Sequence, residues 1–312
     1  MIGIVIAVIV VFIIIFLVIA EKVFERTNYY KKNYTQTDKL KGMEKVDYVN
    51  TGSTFAYYGI DYESVCVSGL NLALCPQPIA SDFKMLKHFE NRYNPGTTVF
   101  IVISDLAFAK KSYTETQTAD KYYKVLDMSE IDGYNSFKAI RAKYLPVLYS
   151  WKNFLRFHWD IKPDREYECM VNENDREAVE ADALKRCQSW KQEFGLKNLN
   201  DASQGQKFAD EFSLTSNIVK EMVIWCKEKG LNPILVNLPV AVEMENCFSQ
   251  KFLNAFYYDQ VNQIVRGTGV KFVDLQKKGK LSDYLLYLDS CRLNKAGREI
   301  ITRLLINEAG KQ

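Results

Sequence analysis

Thr98-Val99-Phe100-Ile101-Val102-Ile103 is the stretch that decides the fold. It is an uninterrupted apolar and β-branched run without alternating polar positions, which is typical of a strand covered on both faces. Working outward from it, we predict this strand at 98–104 and four others at 46–50, 64–68, 233–238 and 270–274. Five such runs in one chain indicate a sheet that is buried on both sides.

Amphipathic stretches lie between these runs. Apolar residues recur every three or four positions at 79–93, 206–229, 250–266 and 295–309, which predicts helices. Because strands and helices alternate along the chain, the sequence favours an α/β fold with a parallel sheet and helices on both faces. Residues 105–205 break this alternation, and we predict that they form a helical insertion carried by the same domain.

The N-terminus is strongly apolar. Residues 2–20 contain no charge and no proline, and a helix of that length spans roughly 28 Å, close to the ~30 Å hydrocarbon core of a bilayer. We therefore predict a single-pass transmembrane anchor at 1–21, a polar stalk at 22–44 and the main domain at 45–312. A cleaved signal peptide is the alternative interpretation, although no basic residue precedes the run.

The charges that follow the anchor bear on its orientation. Lys22, Arg26, Lys31 and Lys32 come directly after the apolar run. The positive-inside rule then places the main domain in the cytoplasm.

Composition excludes several classes of function. The net charge is +3 and no dense basic stripe is present, so we predict no nucleic-acid partner. The chain has 7 cysteines and 2 histidines but no C-x-x-C pair and no Cys/His cluster. We therefore predict no metal site, and no other cofactor.

Two loops carry the candidate chemistry. Strand 46–50 runs directly into Thr51-Gly52-Ser53, and ligands of open parallel sheets bind at the carboxyl ends of the strands. Ser53 therefore offers a hydroxyl at the edge of the sheet, or, alternatively, only caps the next helix. The second loop is Asp289-Ser290-Cys291-Arg292-Leu293-Asn294-Lys295-Ala296-Gly297. It precedes the last helix, for which Asn294 is a predicted N-cap.

Together these loops resemble the SGNH (GDSL-like) superfamily of hydrolases and acyltransferases. In that family the nucleophilic serine follows the first strand, and an Asp-x-x-His loop precedes the last helix. Asn71-Leu72-Ala73 with Gln77 is similar to the second block, and Ser104-Asp105 stands where the third block belongs, without its usual Gly-x-Asn-Asp. The resemblance covers roughly 45–110 and 215–310. It is strongest to membrane-anchored members that modify cell-envelope polysaccharide, and more distant to the D-alanyl-transfer protein of teichoic acid.

The resemblance implies a three-layer, flavodoxin-like sheet. It implies a catalytic set made of Ser53, Asp289 and, in the histidine position, Arg292. It implies an oxyanion or substrate-binding set made of Gly52, Asn71, Ala73 and Ser104. It also implies a cell-envelope glycan as substrate, a membrane-bound acyltransferase as a possible partner, and a main domain outside the cytoplasm, against the charge count.

Arg292 is the main departure from the family. Arginine keeps its proton and has no acceptor lone pair, so it cannot be the base that a Ser/His/Asp arrangement requires. Its spacing from Asp289 predicts a salt bridge instead. His88 and His158 are the two histidines that could replace the missing base. The sequence predicts that His88 lies at the rim of a helix and that His158 lies among aromatic residues.

Two functions are compatible with these residues. The first is an O-acyl esterase or O-acyltransferase of envelope polysaccharide with Ser53 as nucleophile. The second is a catalytically inactive SGNH-fold accessory protein that binds a glycan or a membrane partner. An unrelated cytoplasmic α/β enzyme is a third. The family assignment requires that Ser53 and Asp289 lie at the same edge of one sheet.

Overall fold

The computed structural model describes residues 2–42, 44–104, 108, 121–131, 133–161, 176–277 and 279–310. They belong to two compact units, one made of Met1–Gly42 with Thr114–Asp164 and the other of Met43–Tyr113 with Arg165–Gln312. Residues 22–42 of the predicted stalk and residues 114–164 of the predicted insertion belong to the same unit.

Five strands form the sheet. They are β1 (Val46–Asn50), β2 (Gly69–Asn71), β3 (Tyr93–Val102), β4 (Asn232–Asn237) and β5 (Lys271–Asp274). The helices before β4 are α1 (Ile2–Glu25), α2 (Asn28–Lys39), α3 (Thr54–Tyr57), α4 (Ile79–His88), α5 (Ser136–Tyr144), α6 (Pro146–Tyr149), α7 (Trp151–Phe157), α8 (Arg176–Glu193), α9 (Ala202–Gln206) and α10 (Ala209–Glu228). Those after β4 are α11 (Val242–Glu245), α12 (Gln250–Leu253), α13 (Asp259–Thr268) and α14 (Lys295–Ala309), with a π-helical turn between α12 and α13.

The sheet lies in the second unit and has the strand order β2-β1-β3-β4-β5. Every neighbouring pair is parallel. This is the flavodoxin-like order, in which the chain builds outward in one direction from β1 and in the other from β3. The predicted α/β fold with a parallel sheet is therefore confirmed.

Helices cover both faces of the sheet. Phe100 and Val236 pack in one core with Ile301 and Leu305 of α14. The residues next to them in β3 point to the opposite face because side chains alternate along a strand. On that face α10 contacts β4, α4 and α13. This double cover explains why β3 and β4 are apolar without alternation.

The predicted strand at 64–68 is wrong. Glu63–Val65 form a short 3-10 turn, and Cys66 follows with a left-handed backbone (φ 56°). The strand of this region is β2, which begins at Gly69. The apolar residues Val65 and Val67 imitate a strand in sequence, but a left-handed residue between them breaks any extended run.

The first unit has a small aromatic core of its own. Ala20 and Phe24 of α1 are buried with Tyr30 and Tyr34 of α2 and with Val147 of α6. Residues 28–39 are therefore an ordered helix packed on a segment more than a hundred positions later. Local sequence patterns cannot reveal such a long-range contact, and for that reason this stretch reads as a stalk.

Helix α1 is long and apolar enough to cross a membrane, by length and composition, and its apolar window is not buried in the protein. A signal sequence at the N-terminus has the same two properties. The predicted apolar N-terminal helix is therefore confirmed as a helix.

Candidate functional site

Ser53 lies where β1 ends and α3 begins. Gly52 precedes it with a φ of +123°, and a Cβ atom there would lie 2.7 Å from Ala56 Cβ and 3.1 Å from Val102 Cβ. Glycine is thus required to turn the chain sharply out of the sheet. Ser53 occupies the N-cap position of α3, but its side chain makes no capping hydrogen bond. The alternative that this serine merely caps the helix is therefore wrong.

The Ser53 side chain borders a cavity, which we call the serine cavity, whose empty space is about 390 Å³ with the adjoining open solvent included. Its lining residues are Ser53, Phe55, Gln77, Ile79, Asp82, Val102 and Ser104. The Ser53 hydroxyl accepts a hydrogen bond from the backbone N–H of Gln77 (2.9 Å). The cavity lies at the carboxyl ends of β1 and β3, where the strand order reverses and ligands of such sheets bind.

The predicted oxyanion donors are engaged elsewhere. The N–H of Gly52 donates to Asp82 Oδ1 (2.9 Å), and the N–H of Ala73 donates to Asn71 Oδ1 (3.0 Å). An N–H held by a protein acceptor is not available to a substrate oxygen unless that acceptor moves. Of the predicted binding set, Ser104 is the member that lines the serine cavity.

Asn71 acts as a structural brace. Its Oδ1 also accepts from Asn50 Nδ2 (2.8 Å), while its Nδ2 donates to the carbonyl oxygens of Ala56 (3.2 Å) and Ile60 (3.0 Å). These bonds tie β1, β2 and the end of α3 together. The amide that the family resemblance assigns to the substrate here holds the loop that positions Ser53.

Asp82 is a buried residue that sequence reasoning missed. It lies in the first turn of α4 and is almost fully buried. Gln77 Nε2 donates to its Oδ1 (2.5 Å) and also to the carbonyl oxygen of Gly52 (3.2 Å). A carboxylate in the first turn of a helix is a common pattern, so the sequence gives no sign that this one reaches the serine turn.

A second cavity, which we call the apolar cavity, has an empty space of about 400 Å³ with the adjoining open solvent included. Its lining residues are Phe55, Val102, Ser104, Trp190, Asn237, Leu238, Val240, Met244, Phe248 and Gln276. It shares the first three with the serine cavity. Gln276 is 4% exposed, and neither atom of its side-chain amide has a hydrogen-bond partner among the described residues. A buried amide without partners is costly and calls for an explanation.

Asp289 accepts hydrogen bonds from two guanidinium groups and two backbone N–H groups, which fix the conformation of its loop. Asp289 Oδ2 accepts from Arg292 Nε (2.6 Å) and from Arg186 of α8 (2.7 Å). Its Oδ1 accepts from the N–H groups of Cys291 (2.9 Å) and Arg292 (2.8 Å). The predicted Asp289–Arg292 salt bridge is confirmed. These four donors fill the acceptor positions of a carboxylate.

The two loops lie at the same edge of the sheet. The N–H of Ala241, just after β4, donates to the carbonyl oxygen of Ser290 (3.1 Å), and the Arg292 guanidinium lies 5.0 Å from the ring centre of Tyr58, just after α3. The described residues that line the serine cavity nevertheless include neither Asp289 nor Arg292. The structure thus groups Ser53 with Ser104 and Gly52, and Asp289 with Arg292.

The two histidines have other surroundings. His158 Nδ1 lies 3.2 Å and 3.1 Å from the carbonyl oxygens of Phe154 and Leu155, and its ring packs edge-on against Trp159. His88 packs edge-on against Phe89. Neither is among the described residues that line the serine cavity. The aromatic environment predicted for His158 is confirmed.

Asp182 of α8 anchors the Asp289 loop and gives it a pH dependence. Burial raises the pKa of Asp182, but the hydrogen bonds from Arg186 and Ser290 outweigh it, so the pKa lies below its usual value. A carboxylate with a lowered folded-state pKa contributes stability above its unfolded pKa of about 3.9, and this contribution is lost as the pH falls through the folded value.

We therefore expect Asp182→Asn to flatten the acid limb of the stability profile. Unfolding free energies measured from pH 6 to pH 3 should fall more steeply in the wild type than in the variant, because only the wild type must protonate Asp182. Glu180→Gln, at an exposed position of the same helix, is the control and should keep the wild-type slope. Equal slopes for Asp182→Asn and the wild type would contradict the assignment.

No protein-family model matches the chain, and no curated protein matches it. Among solved structures, the crystal structure of protein YxiM from Bacillus subtilis is similar, with 14% sequence identity and a TM-score of 0.40. The match covers 86% of this chain and 57% of that one. The five-stranded parallel sheet and its flanking helices form an α/β fold.

Proposed function

We propose that this chain is a membrane-tethered protein of SGNH type that binds an acylated cell-envelope glycan beside Ser53 without hydrolysing or transferring the acyl group. The observation that carries the proposal is the state of Asp289. All four of its acceptor positions hold N–H donors, two from guanidinium groups and two from the backbone. The catalytic set implied by the resemblance thus lacks a proton acceptor for Ser53.

The physical argument concerns the serine proton. A serine hydroxyl is a weak nucleophile until a neighbouring base takes its proton in the transition state. Arg292 has no lone pair to offer, and every acceptor position of Asp289 already holds an N–H donor. The hydrogen bond at Ser53 Oγ comes from a donor, the N–H of Gln77, which holds the hydroxyl but cannot accept its proton.

The linings of the two cavities suit an acylated sugar. The apolar cavity has mostly hydrocarbon walls, including Leu238, Met244 and Phe248, and suits an acyl chain. The serine cavity adds polar groups, among them Ser53 and Asp82, that suit sugar hydroxyls. Because the two share part of their lining, one acylated sugar would fill both.

The experiment uses full-length protein in lipid nanodiscs with 6-O-acetylglucose as the probe. We expect wild type and Ser53→Ala to hydrolyse p-nitrophenyl acetate at the same background rate and both to bind the probe in ligand-observed NMR. Ser104→Trp, which places an indole in the shared wall, should abolish binding. Hydrolysis that depends on Ser53, or binding unaffected by Ser104→Trp, would refute the proposal.

Gln276 provides a prediction with a matched control. Gln276→Met should raise the unfolding free energy by about 1–2 kcal/mol, because it removes a buried amide that no described residue satisfies. Gln77 is equally buried but donates to Gly52, Leu72 and Asp82, so Gln77→Met should lower it by about 2–3 kcal/mol. Chemical denaturation of both variants checks the signs. The same sign for both would contradict this account.

An active O-acyl esterase or transferase is the second candidate. It is favoured by Asp82, a carboxylate that lines the same cavity as Ser53 and that would have to leave the Gly52 N–H to act as a base. In that case ester hydrolysis would disappear in both Ser53→Ala and Asp82→Asn. The two candidates are separated by the hydrolysis assay above.

The proposed location of the protein depends on α1. We propose that α1 anchors the chain and that the second unit lies outside the cytoplasm, as in the envelope proteins that the sequence resembles. Lys22, Arg26, Lys31 and Lys32 oppose this orientation. An alkaline phosphatase reporter fused after Gln312 should be active, and a fluorescent protein at the same position, active only in the cytoplasm, should be dark. The reverse pattern would overturn the envelope assignment.

A further inference from the structure

Helix α5 of the first unit exposes an apolar stripe. Phe137, Ile140 and Tyr144 each present more than half of their surface to solvent. Their spacing of three and four residues places them on one side of the helix, while Ala139 and Ala142 on the other side are buried. Buried alanines and exposed large side chains reverse the usual arrangement of a helix in a soluble domain.

Helix α7 and the turn after it repeat the pattern. Trp151, Leu155 and Trp159 lie four residues apart, and each exposes more than half of its surface. None of the α7 residues is buried. Two neighbouring segments thus expose six large apolar side chains, including two tryptophans and a tyrosine. Exposed large apolar side chains in this number mark an interaction surface.

Basic residues border these stripes. Between 134 and 161 the chain carries one acidic residue, Asp160, and five basic ones. The basic residues are Lys138, Arg141, Lys143, Lys152 and Arg156. Several lie against the exposed rings, with Arg141 4.4 Å from the ring centre of Phe137. Aromatic and basic side chains in this combination match the headgroup region of a bilayer and its anionic lipids.

Helices α6 and α7 contact the C-terminal end of α1. The N–H of Val147 in α6 donates to Glu21 Oε2 (2.9 Å), one residue past the apolar run of α1. The ring of Phe154 in α7 meets the ring of Phe24 edge-on at 6.1 Å. When α1 crosses a bilayer, these contacts hold α6 and α7 at the level where its hydrocarbon core gives way to headgroups.

We propose that α5, α6 and α7 form a membrane-surface platform, in which the two exposed stripes insert among lipid headgroups and the basic residues bind anionic lipid. The bilayer is the occupant because the platform is continuous with α1, the membrane anchor of the proposed function on which this inference rests, and because its charge is complementary to anionic headgroups. The platform seats the first unit on the bilayer around the point where α1 emerges. This inference is independent of any chemistry at Ser53.

Tryptophan fluorescence of the full-length chain in nanodiscs tests the platform. The chain has 4 tryptophans, so Trp190→Phe/Trp225→Phe retains only those of the platform, and Trp151→Phe/Trp159→Phe is the matched control. With lipid brominated near the top of the acyl chain, we expect the platform pair to lose at least half of its emission. The control pair should change by less than a tenth.

A second arm tests the charge. Lys138→Gln/Arg141→Gln/Lys143→Gln, made in the platform-only background, should reduce the difference in quenching between phosphatidylglycerol and pure phosphatidylcholine nanodiscs at least twofold. Quenching that never depends on anionic lipid would overturn the anionic-lipid part. Platform tryptophans that are open to aqueous iodide and insensitive to brominated lipid would overturn the whole proposal and leave a protein partner as the occupant of the stripes.

Discussion

The Gly52→Ala variant is expected to lose about 2–6 kcal/mol of unfolding free energy, enough to unfold much of the protein. Two penalties add. The backbone at Gly52 has a φ of +123°, which alanine rarely adopts, and the new Cβ would lie 2.7 Å from Ala56 Cβ and 3.1 Å from Val102 Cβ. Neither neighbour can yield easily, because both are buried next to the turn that carries Ser53.

Two other glycines separate these penalties. Gly230 also has a positive φ (+70°), but a Cβ there would meet nothing within 4 Å. Gly230→Ala therefore measures backbone strain alone, and we expect a loss of about 1 kcal/mol. Gly267 lies within α13 in open space, and Gly267→Ala should stabilise the protein by about 0.5–1 kcal/mol. Chemical denaturation of the three variants should give this order, and a Gly52 cost no larger than that at Gly230 would contradict the steric argument.

Asp289→Ala is expected to cost about 2–4 kcal/mol of unfolding free energy, less than the breaking of a fully buried ion pair because its partners are partly exposed. The substitution leaves Arg186, Arg292 and two backbone N–H groups without their shared acceptor. The side chains of Asp289 and Arg292 are only 10% and 18% exposed, so water replaces these bonds poorly.

An exposed ion pair in α14 is the matched control. Glu299 pairs with Arg303 (2.9 Å) across one helical turn, and both side chains are well exposed. Glu299→Ala should change the unfolding free energy by less than about 0.5 kcal/mol. Thermal and chemical denaturation of both variants in parallel checks the contrast. Similar costs at Asp289 and Glu299 would contradict the view that Asp289 organises its loop.

The sheet could be predicted because strands that are buried on both faces are continuous apolar runs in the sequence. Residues 99–102 of β3 and 234–236 of β4 are apolar without alternation. Asn294 is the N-cap of α14, as predicted, and its side chain accepts from the Gly297 N–H (3.0 Å). β2 could not be found, since it has three residues and its neighbourhood imitates a strand at Val65 and Val67. A short strand forms because it pairs with neighbouring strands, and its own residues carry little signal of it.

The candidate site divides in the same way. Ser53 and the Asp289–Arg292 pair are local features, because a strand end and an i,i+3 spacing can be read directly from the chain. Two other contacts form only in the folded chain. Asp82, thirty residues later, accepts from the Gly52 N–H, and Arg186, a hundred residues earlier, donates to Asp289. These distant partners decide whether a donor or a carboxylate is available for chemistry.

The central proposal is that no described residue acts as a base for the Ser53 hydroxyl, so that no covalent acyl intermediate forms. Its most direct test is labelling of the full-length protein in nanodiscs with a fluorophosphonate probe, which reacts with activated serines. We expect the wild type to label no faster than Ser53→Ala. Rapid stoichiometric labelling of the wild type that is lost in Ser53→Ala would contradict the account.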